Sequence, residues 1–454
     1  MLDNKEFAKR RRQLMRIMGA DTIAILPAAT VRYRNRDAEY PYRQDSDFYY
    51  LTGFREPEAV AVLVPNRAHG EYILFCRERD PEMETWHGRR AGTDGAREIY
   101  DADDAFPFSD IDDILPGLIE NKERIYYSMG YSPEFDQQVM GWVNSIRAKV
   151  RGGSHAPVEF VALEHVLHDM RLYKSPAEVK MMRRAARIAS AAHRRAMETA
   201  RPKMMEYEVE AELLHAFRRH GAWTAYNPIV GGGANGCILH YVENDAPLND
   251  GELLLIDAGA ELRGYASDIT RTFPVNGRFS PAQRAIYELV LAAQHAALEQ
   301  ARPGKHWNDP HDAAVRTLTE GLVKLGLLKG NTQSTSVGIK VKELIRKEAY
   351  KRFFMHRTGH WLGLDVHDVG DYKVGGRWRL LEPGMVFTVE PGLYIPAGSK
   401  GVAKKWWNIG VRIEDDVLIT KDGHEVLSRD APKTVEEIEE IMAQRAAPRR
   451  SGHG

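Results

Sequence analysis

The second half of the chain places acidic side chains inside apolar, strand-like or glycine-marked segments, and not in loose charged loops. Asp257 ends the run LLLIDAG, and Asp268 follows in YASDITRTF. Glu390 lies in FTVEPGLY, and Glu414 lies in VRIEDD. A carboxylate that emerges from a buried strand is costly to ionise without a partner. Together with His360 in MHRTGHWLGLDVHD, these four carboxylates predict one two-metal site.

The donor types restrict the chemistry of this site. Four carboxylates and one imidazole suit Mn²⁺ or a similar divalent ion, and they lack the thiolates that structural zinc usually has. Two metals held by shared carboxylates can activate water against an amide or ester bond, which indicates a hydrolase. A net charge of −1, from 63 basic and 64 acidic residues, gives no support to nucleic-acid binding.

Each residue also has a structural interpretation when it is taken alone. Asp257 and Asp268 could flank a turn and accept backbone hydrogen bonds. Arg412 and Glu414, two residues apart on one strand face, could form a buried ion pair. Glu390 could be a solvated strand end. The order Asp, Asp, His, Glu, Glu is far more specific than its parts.

Histidines concentrate in the same region. His356, His360 and His367 fall within twelve residues, and His240 lies upstream in ILHY. A single histidine on an apolar face is usually a satisfied core residue, but three in one glycine-interrupted stretch indicate proton transfer or metal binding.

The pattern of short strands and helices predicts two domains and a tail. Residues 1–173 alternate strand-like runs (TIAILPA, AVAVLVP, YILFC, RIYYS) with helices, which predicts an α/β domain with a mixed sheet. Residues 174–438 form the second domain and 439–454 the tail. Ser175, Pro176 and Glu178 predict a helix start. Helices are expected to about residue 199, over 206–220, from 281 to about 299 and over 309–327, with mostly strands over 353–427.

The ends of the chain and its cysteines carry less information. The basic N-terminus predicts an amphipathic surface helix with Phe7, Leu14 and Ile17 facing inward. No stretch approaches the roughly 20 apolar residues of a membrane helix, so no membrane partner is expected. Cys76 and Cys237 do not suggest a disulfide framework, and a cytoplasmic enzyme is predicted.

Longer strings show a family resemblance. HYVEND, LLLIDAGAELRGYASDITRTFPVNG, HWLGLDVHDVG, EPGMVFTVEPGLY and VRIEDDV resemble those of bacterial Xaa-Pro aminopeptidases (aminopeptidase P), as do DAEYPYRQDSDFYYLTGFREPEA and ETWHGRR in the first half. The resemblance implies an α+β pita-bread catalytic domain, with a creatinase- or prolidase-like N-terminal domain that drives formation of a homotetramer or homodimer. It also implies release of the N-terminal residue from peptides with proline second.

The resemblance further implies roles for the site residues. Asp257 would hold one of two metal ions, Asp268 and Glu414 would bridge both, and His360 and Glu390 would complete the set of ligands around the second ion. Mn²⁺ is expected, with Co²⁺, Fe²⁺ and Zn²⁺ left open. A bridging hydroxide would attack the amide, with Glu390 as general base.

The remaining matched residues are implied to contact the peptide. His240 and His367 would contact the scissile amide. On the proline side of the pocket the family has residues that match His356, Tyr394 and Arg412. From the first domain, Asp37 and Trp86 match residues that reach the active site, the latter expected from a neighbouring subunit.

One position departs from the pattern. Arg357 follows His356 where related enzymes usually have glycine. It could change the preference beyond proline, favour a short substrate with a carboxylate, or point outward. Prolidase, which cleaves Xaa-Pro dipeptides and in some relatives organophosphorus esters, therefore stays an alternative. A non-catalytic peptide-binding module is a distant one, because all five ligand positions are intact.

Overall fold

The computed structural model describes residues 2–329 and 337–444, and the chain divides into two compact units between Arg171 and Leu172. The predicted tail begins at residue 439, which lies inside the last helix of the second unit. Its residues 445–454 lie outside the described residues. In the described part of the chain, no helix is both long and apolar enough to cross a membrane.

The first unit alternates helices and strands. Its helices are α1 (Asn4–Met18), α2 (Ser46–Thr52), α3 (Pro81–His87), α4 (Gly92–Glu98), α5 (Ile111–Ile119), α6 (Pro133–Arg147) and α7 (Glu164–Leu172, ending at the unit boundary). Its strands are β1 (Thr22–Pro27), β2 (Tyr33–Asn35), β3 (Ala38–Glu39), β4 (Val60–Leu63), β5 (Tyr72–Cys76), β6 (Asp104–Pro107), β7 (Arg124–Tyr126) and β8 (Glu159–Val161).

Six of these strands form one mixed sheet in the order β6-β5-β4-β1-β7-β8. The β1–β4 and β4–β5 pairs are antiparallel, while β1–β7, β5–β6 and β7–β8 are parallel. The four strand-like runs of the sequence are the four central strands, β5, β4, β1 and β7. Strands β1, β4 and β5 are buried almost throughout, as expected of continuous apolar runs in a covered sheet.

The amphipathic helix at the N-terminus was predicted with one error. Phe7 and Leu14 are buried in α1, but Ile17 is 51% exposed and Met18 takes the inward position. The helix ends at Met18 and the chain turns at Gly19, whose φ is 82°. In the last turn of α1 the buried residue is therefore Met18, one position after the predicted Ile17.

The second unit combines long helices with antiparallel strands. Its helices are α8 (Pro176–Thr199), α9 (Glu206–Arg219), α10 (Pro281–Gln300), α11 (Asp309–Lys324), α12 (Val337–Arg346) and α13 (Val435–Ala443). Its strands are β9 (Trp223–Thr224), β10 (Ile229–Gly232), β11 (Leu253–Asp257), β12 (Ala260–Glu261), β13 (Thr270–Pro274), β14 (Lys373–Val374), β15 (Arg377–Trp378), β16 (Val386–Val389), β17 (Gly392–Ile395), β18 (Ile409–Arg412), β19 (Asp415–Ile419) and β20 (His424–Val426).

Local capping chemistry explains where two of the long helices begin. Ser175 accepts a hydrogen bond from the backbone N–H of Glu178, whose side chain accepts one in return from the N–H of Ser175. Ser280 and Gln283 form the same reciprocal pair at α10. Both helices have proline in the first turn, where no intrahelical N–H partner is lost.

Short antiparallel sheets carry the functional part of the second unit. Their orders are β10-β11-β13, β16-β19-β20 and β17-β18. Strand β11 is central in the first of them, with Leu253–Ile256 buried and only Asp257 partly exposed. Residues 353–385 were expected to be mostly strands, but only the short hairpin β14–β15 forms there, and the rest of that segment satisfies its backbone in loops and turns.

Buried His193 in α8 predicts a pH dependence of stability. Its Nε2 lies 3.0 Å from the carbonyl oxygen of Ala258, and burial lowers its pKa from the ordinary 6.5 to about 4. Below pH 6.5 the imidazole of His193 is protonated in the unfolded chain, but in the folded protein it stays neutral down to about pH 4. Stability from this group is therefore full above pH 6.5 and falls by roughly 1.4 kcal/mol per pH unit through that window.

The variant His193→Gln keeps an N–H donor without the titrating ring. We expect its free energy of unfolding, measured by urea denaturation from pH 7.5 to 4.5, to fall less steeply with decreasing pH than that of the unsubstituted protein. Equal slopes in the two proteins would contradict the assignment of this pH dependence to His193.

Candidate metal centre and active site

All five predicted metal-ligating residues line one cavity of about 870 Å³ in the second unit. Asp257 is the last residue of β11, Asp268 precedes β13, and Glu390 follows β16. Glu414 lies between β18 and β19, and His360 lies in the loop segment before β14. Because β11 pairs with β13, the two aspartates enter the cavity from neighbouring strands.

Three of these side chains form a tight donor cluster. Asp268, His360 and Glu414 each offer a ligand atom, and those atoms lie within 4.8 Å of one another. The Nε2 of His360 is 3.3 Å from Asp268 Oδ2 and 3.7 Å from Glu390 Oε1. The donors are oxygen and nitrogen, as hard and borderline divalent ions prefer, so the residues fit a metal ion.

Crowding of the carboxylates supports the same fit. Burial, reinforced by the neighbouring carboxylates, raises the pKa of Glu414 well above its ordinary value. Burial also raises the pKa of Glu390 to about 7, and it raises the pKa of Asp257 although Arg412 opposes this shift. A divalent cation among these groups would favour their ionised forms and offset the repulsion between them.

The imidazole of His360 stabilises the negative charge of Asp268. Burial is the largest influence on both partners, but their hydrogen bond and mutual attraction outweigh it, so the pKa of His360 rises to about 9 and that of Asp268 falls. The Nδ1 of His360 lies 3.0 Å from the carbonyl oxygen of Trp361 and must donate to it. In the neutral tautomer Nε2 is therefore the nitrogen whose lone pair faces the carboxylates, as a metal ligand requires.

Tyr226 joins the two aspartates and was not predicted from the sequence. Its buried hydroxyl lies 2.5 Å from Asp257 Oδ1 and also contacts Asp268 Oδ1. Burial and these carboxylates raise its pKa well above the ordinary value, so it stays a donor. Tyr226 lies in AWTAYNPIV, ahead of β10, and only the pairing of β10 with β11 brings it to the site.

Loss of that hydroxyl should weaken metal binding. We expect Tyr226→Phe to bind Mn²⁺ about 10–100-fold more weakly, because outer-shell partners that orient ligating carboxylates have effects of this size. Isothermal titration of the metal-free protein measures the affinity, and Tyr207→Phe, on the exposed side of α9, is the matched control. Equal affinity of Tyr226→Phe and the unsubstituted protein would refute the orienting role.

A chain of hydrogen bonds connects three residues predicted on the proline side of the pocket. The Nη1 of Arg412 donates to the hydroxyl of Tyr394 at 2.9 Å, and that hydroxyl lies 2.9 Å from Nε2 of His356. The Nδ1 of His356 is 2.7 Å from the carbonyl oxygen of Arg357, so Nδ1 carries the proton and Nε2 accepts from Tyr394. Burial, followed by Arg412, lowers the pKa of His356 to about 3, which keeps the ring neutral.

The guanidinium of Arg412 is also bound to the metal-site residues. Its Nη2 lies 2.6 Å from Asp257 Oδ2, and its Nε donates to Thr270 Oγ1 at 3.1 Å. Thr270 in turn donates to Glu414 at 2.6 Å. Arg412 therefore positions Asp257, in addition to lining the cavity where the sequence predicts contact with the peptide.

Two further histidines face the cavity. His240 and His367 both line it, and the ring of His367 lies 4.2 Å, centre to centre, from the ring of His360. Burial and the neighbouring His360 lower the pKa of His367, so it is neutral near pH 7 and offers one N–H donor.

The two residues predicted from the first unit are at its surface. Trp86 lies in α3 and is 77% exposed, and Asp37 lies exposed between β2 and β3. Their contribution to the active site stays a prediction.

A glycine permits the backbone contact that holds His360. A Cβ on Gly359 would lie 1.9 Å from the carbonyl oxygen of Thr388. That close approach lets the Thr388 N–H donate to the His360 carbonyl at 3.0 Å and lets the His360 N–H donate to Thr388 Oγ1 at 3.2 Å. Substitution of Gly359 would therefore displace a predicted ligand.

Oxygen and nitrogen donors gathered in one cavity are typical of a metalloenzyme site. Comparison with known proteins identifies the family. The model of metallopeptidase family M24 matches residues 180–421, and that of the aminopeptidase P N-terminal domain matches residues 7–126. The chain belongs to metallopeptidase family M24. The predicted enzyme class is thus confirmed, as is the fold class, an α/β N-terminal domain with a mixed sheet followed by an α+β pita-bread domain.

Individual relatives match nearly the whole chain. The Xaa-Pro aminopeptidase of Escherichia coli K12 is 47% identical over 443 residues, which covers 97% of this chain and 98% of the relative. A solved Pseudomonas aeruginosa aminopeptidase PepP is 62% identical, with a TM-score of 0.95 over 97% of this chain and 98% of its own. Zinc-substituted E. coli aminopeptidase P in complex with product is 46% identical, with a TM-score of 0.94 over 98% and 99%.

Proposed function

We propose that the protein is an Xaa-Pro aminopeptidase, which releases the N-terminal residue from peptides with proline in second position. The observation that carries this proposal is that all five predicted ligands and the histidines His240, His356 and His367 line one cavity. Relatives named Xaa-Pro aminopeptidase match the chain over nearly its full length. Together these support a complete peptidase site with proline specificity.

The same site is proposed to hold two divalent ions, with Mn²⁺ expected and Co²⁺, Fe²⁺ or Zn²⁺ as alternatives. Asp257, Asp268, His360, Glu390 and Glu414 are the proposed ligands. When bound, such ions polarise the scissile carbonyl and lower the pKa of a water from about 15.7 towards 7.

Among the carboxylates, Glu390 is the best suited to accept a proton. Its hydrogen bond from Thr388 is long, at 3.4 Å, whereas Asp257 is held by both Tyr226 and Arg412. A carboxylate with weakly engaged oxygens is free to take a proton from attacking water and to return it. Glu390 is thus the proposed general base.

The histidines serve the second half of the reaction. The prolyl nitrogen of a tertiary amide has no hydrogen and must be protonated to leave as a secondary amine. Neutral His367, with His240, is proposed to donate hydrogen bonds to the tetrahedral intermediate and to assist that protonation. The rings of His356 and Tyr394 offer apolar faces on which a pyrrolidine can pack.

Product analysis tests this function. Mn²⁺-loaded protein is offered Ala-Pro, Ala-Pro-Ala and Ala-Ala-Ala, and products are identified by mass spectrometry. Release of alanine from Ala-Pro-Ala but not from Ala-Ala-Ala is the expected result. Cleavage of Ala-Pro alone would instead indicate prolidase, a second candidate that the cationic Arg357 in the cavity lining keeps open. No cleavage by metal-loaded protein would refute both.

We also propose a homodimer or homotetramer in the cytoplasm. Large apolar side chains at the surface of the first unit, including Trp86, Tyr131 and Val158, support association, and both cysteines are free thiols. Light scattering coupled to gel filtration gives the oligomeric state directly.

A further inference from the structure

Arg357 is held by two different elements at the wall of the cavity. Its guanidinium donates to Oδ1 of Asn308, the residue that precedes α11, and its Cζ lies 5.3 Å from the ring centre of Trp378 in β15. Arg357 and Trp378 both line the cavity that contains the predicted metal ligands. The side chain therefore does not extend freely into solvent, although the residue is exposed.

The charge of Arg357 is not matched by a bound carboxylate. The carboxylate of Asp312 favours the charged form of Arg357 electrostatically, but Asp312 Oδ1 accepts from the Nδ2 of Asn308 at 2.8 Å. Asn308 thus stands between the two charges, with its amide oriented by both. Arg412, the other arginine at this cavity, forms an ion pair with Asp257. In the part of the chain that the structure describes, no ion pair includes Arg357. Burial opposes its charge and lowers its pKa.

A second cation lies on the same indole. The Nζ of Lys373, in β14, is 4.3 Å from the ring centre of Trp378. Two positive groups beside one aromatic ring make the local electrostatic potential more positive. The guanidinium of Arg357 has further N–H donors beyond the one bound to Asn308, and these are suited to bind a carboxylate. This end of the cavity is therefore complementary to an anionic group of a ligand.

The direction of the two neighbouring side chains separates this end from the proline side. The ring of His356 contacts Tyr394, whereas Arg357 reaches Asn308 and Trp378. At about 870 Å³ the cavity is near the upper end of the usual range for small-ligand sites, so it can accommodate more than a dipeptide.

We propose that Arg357, supported by Asn308 and Trp378, binds a carboxylate that lies beyond the prolyl residue, chiefly the C-terminal carboxylate of a tripeptide. The inference rests on the proposed function and names the substrates that this cavity prefers. Short peptides with a free C-terminus bind more tightly than longer or capped ones, because the charge-assisted hydrogen bond is lost when the carboxylate is amidated.

The test compares Ala-Pro-Ala with Ala-Pro-Ala-NH₂ on the Mn²⁺-loaded protein. We expect kcat/KM for the free acid to exceed that for the amide by about tenfold, mainly through KM, as for one hydrogen bond to a charged group. In Arg357→Met, which keeps much of the apolar stem, the ratio should fall to about 1. Arg352→Met is the matched control, because Arg352 binds the Lys400 carbonyl and does not line the cavity.

A second pair identifies the source of the carboxylate. A preference for Ala-Pro-Glu-NH₂ over Ala-Pro-Gln-NH₂ that depends on Arg357, without a preference for free-acid Ala-Pro-Ala, would overturn the assignment to the C-terminus. A ratio near 1 for both pairs, or one that survives Arg357→Met, would overturn the proposal itself.

Failure of the proposed function is a distinct result. Absence of cleavage of every Xaa-Pro peptide by metal-loaded protein would refute the aminopeptidase assignment. The binding comparison then decides the role of Arg357, since isothermal titration with the same acid and amide requires no turnover. Equal affinities for the acid and the amide would refute this role of Arg357. Tighter binding of the acid would support it, provided that the difference disappears in Arg357→Met.

Discussion

Replacement of Asp268 by alanine is expected to abolish peptide hydrolysis and to weaken binding of both metal ions. Its side chain belongs to the cluster in which donors of Asp268, His360 and Glu414 lie within 4.8 Å, and it is the proposed bridging ligand. A bridging carboxylate serves each ion, so its loss affects both sites at once. The direct measurements are the rate of Ala-Pro-Ala hydrolysis and the metal content of the protein after gel filtration. Inductively coupled plasma mass spectrometry gives the metal content.

Unfolding measurements give a readout that does not depend on turnover. Mn²⁺ at 100 times its dissociation constant should stabilise the unsubstituted protein by about 2.7 kcal/mol, because it binds only the folded state. Asp268→Ala should lose most of this metal-dependent shift. Asp422→Ala, in the exposed turn before β20, removes the same carboxylate elsewhere and should behave like the unsubstituted protein. Normal turnover or full metal content in Asp268→Ala would refute the bridging role.

The second large effect is expected from Arg271, in β13. Its side chain is fully buried, and its ion pair with Asp415 spans 2.8 Å with neither group exposed. Besides Asp415, its hydrogen-bond acceptors are the backbone carbonyls of Thr270, Glu414, Ala431 and Pro432. Arg271→Met should cost about 3–5 kcal/mol, because it leaves a buried carboxylate and several carbonyls without their donor.

Urea unfolding of three variants tests this origin of the effect. Lys433 also contacts Asp415, at 2.5 Å, and should retain part of the compensation. The double variant Arg271→Met/Asp415→Leu removes the unpaired carboxylate and should recover part of the loss. Arg284→Met, at a half-exposed ion pair with Glu288 and Glu436, should lower the free energy of unfolding far less than Arg271→Met does, because solvent screens that pair. A similar small cost for Arg271→Met would contradict the prediction.

Elements specified by neighbouring residues were predictable from the sequence. The helix starts at Ser175-Pro176 and Ser280-Pro281 were predicted at the residues where the helices begin, because each reciprocal cap joins residues only three apart. Four strands of the first sheet were predicted because their apolar runs are bounded by turn residues. The prediction was wrong for Ile17 and for much of residues 353–385, where tertiary packing and loop hydrogen bonds decide the conformation.

The partners of the site residues could not be obtained in the same way. Arg412 had two interpretations, an ion pair with Glu414 on its own strand or a contact with substrate, but its closest partner is Asp257, 155 residues away. Tyr226 had no signal in its local sequence, because its role depends on a hydroxyl that reaches two aspartates from the segment between β9 and β10. Strand pairing determines such distances, and no local pattern encodes them.

The sequence by itself determined the donor types of the metal centre, the family resemblance, and the helix ends set by caps, since these depend on side-chain chemistry and short-range hydrogen bonds. Only the tertiary structure decided that the donors meet in one cavity, that Arg412 and Tyr226 hold Asp257, and that Arg357 is supported by Asn308 and Trp378. Those contacts depend on antiparallel pairing between distant strands and on the packing of loops, which bring groups far apart in the chain within a few ångströms.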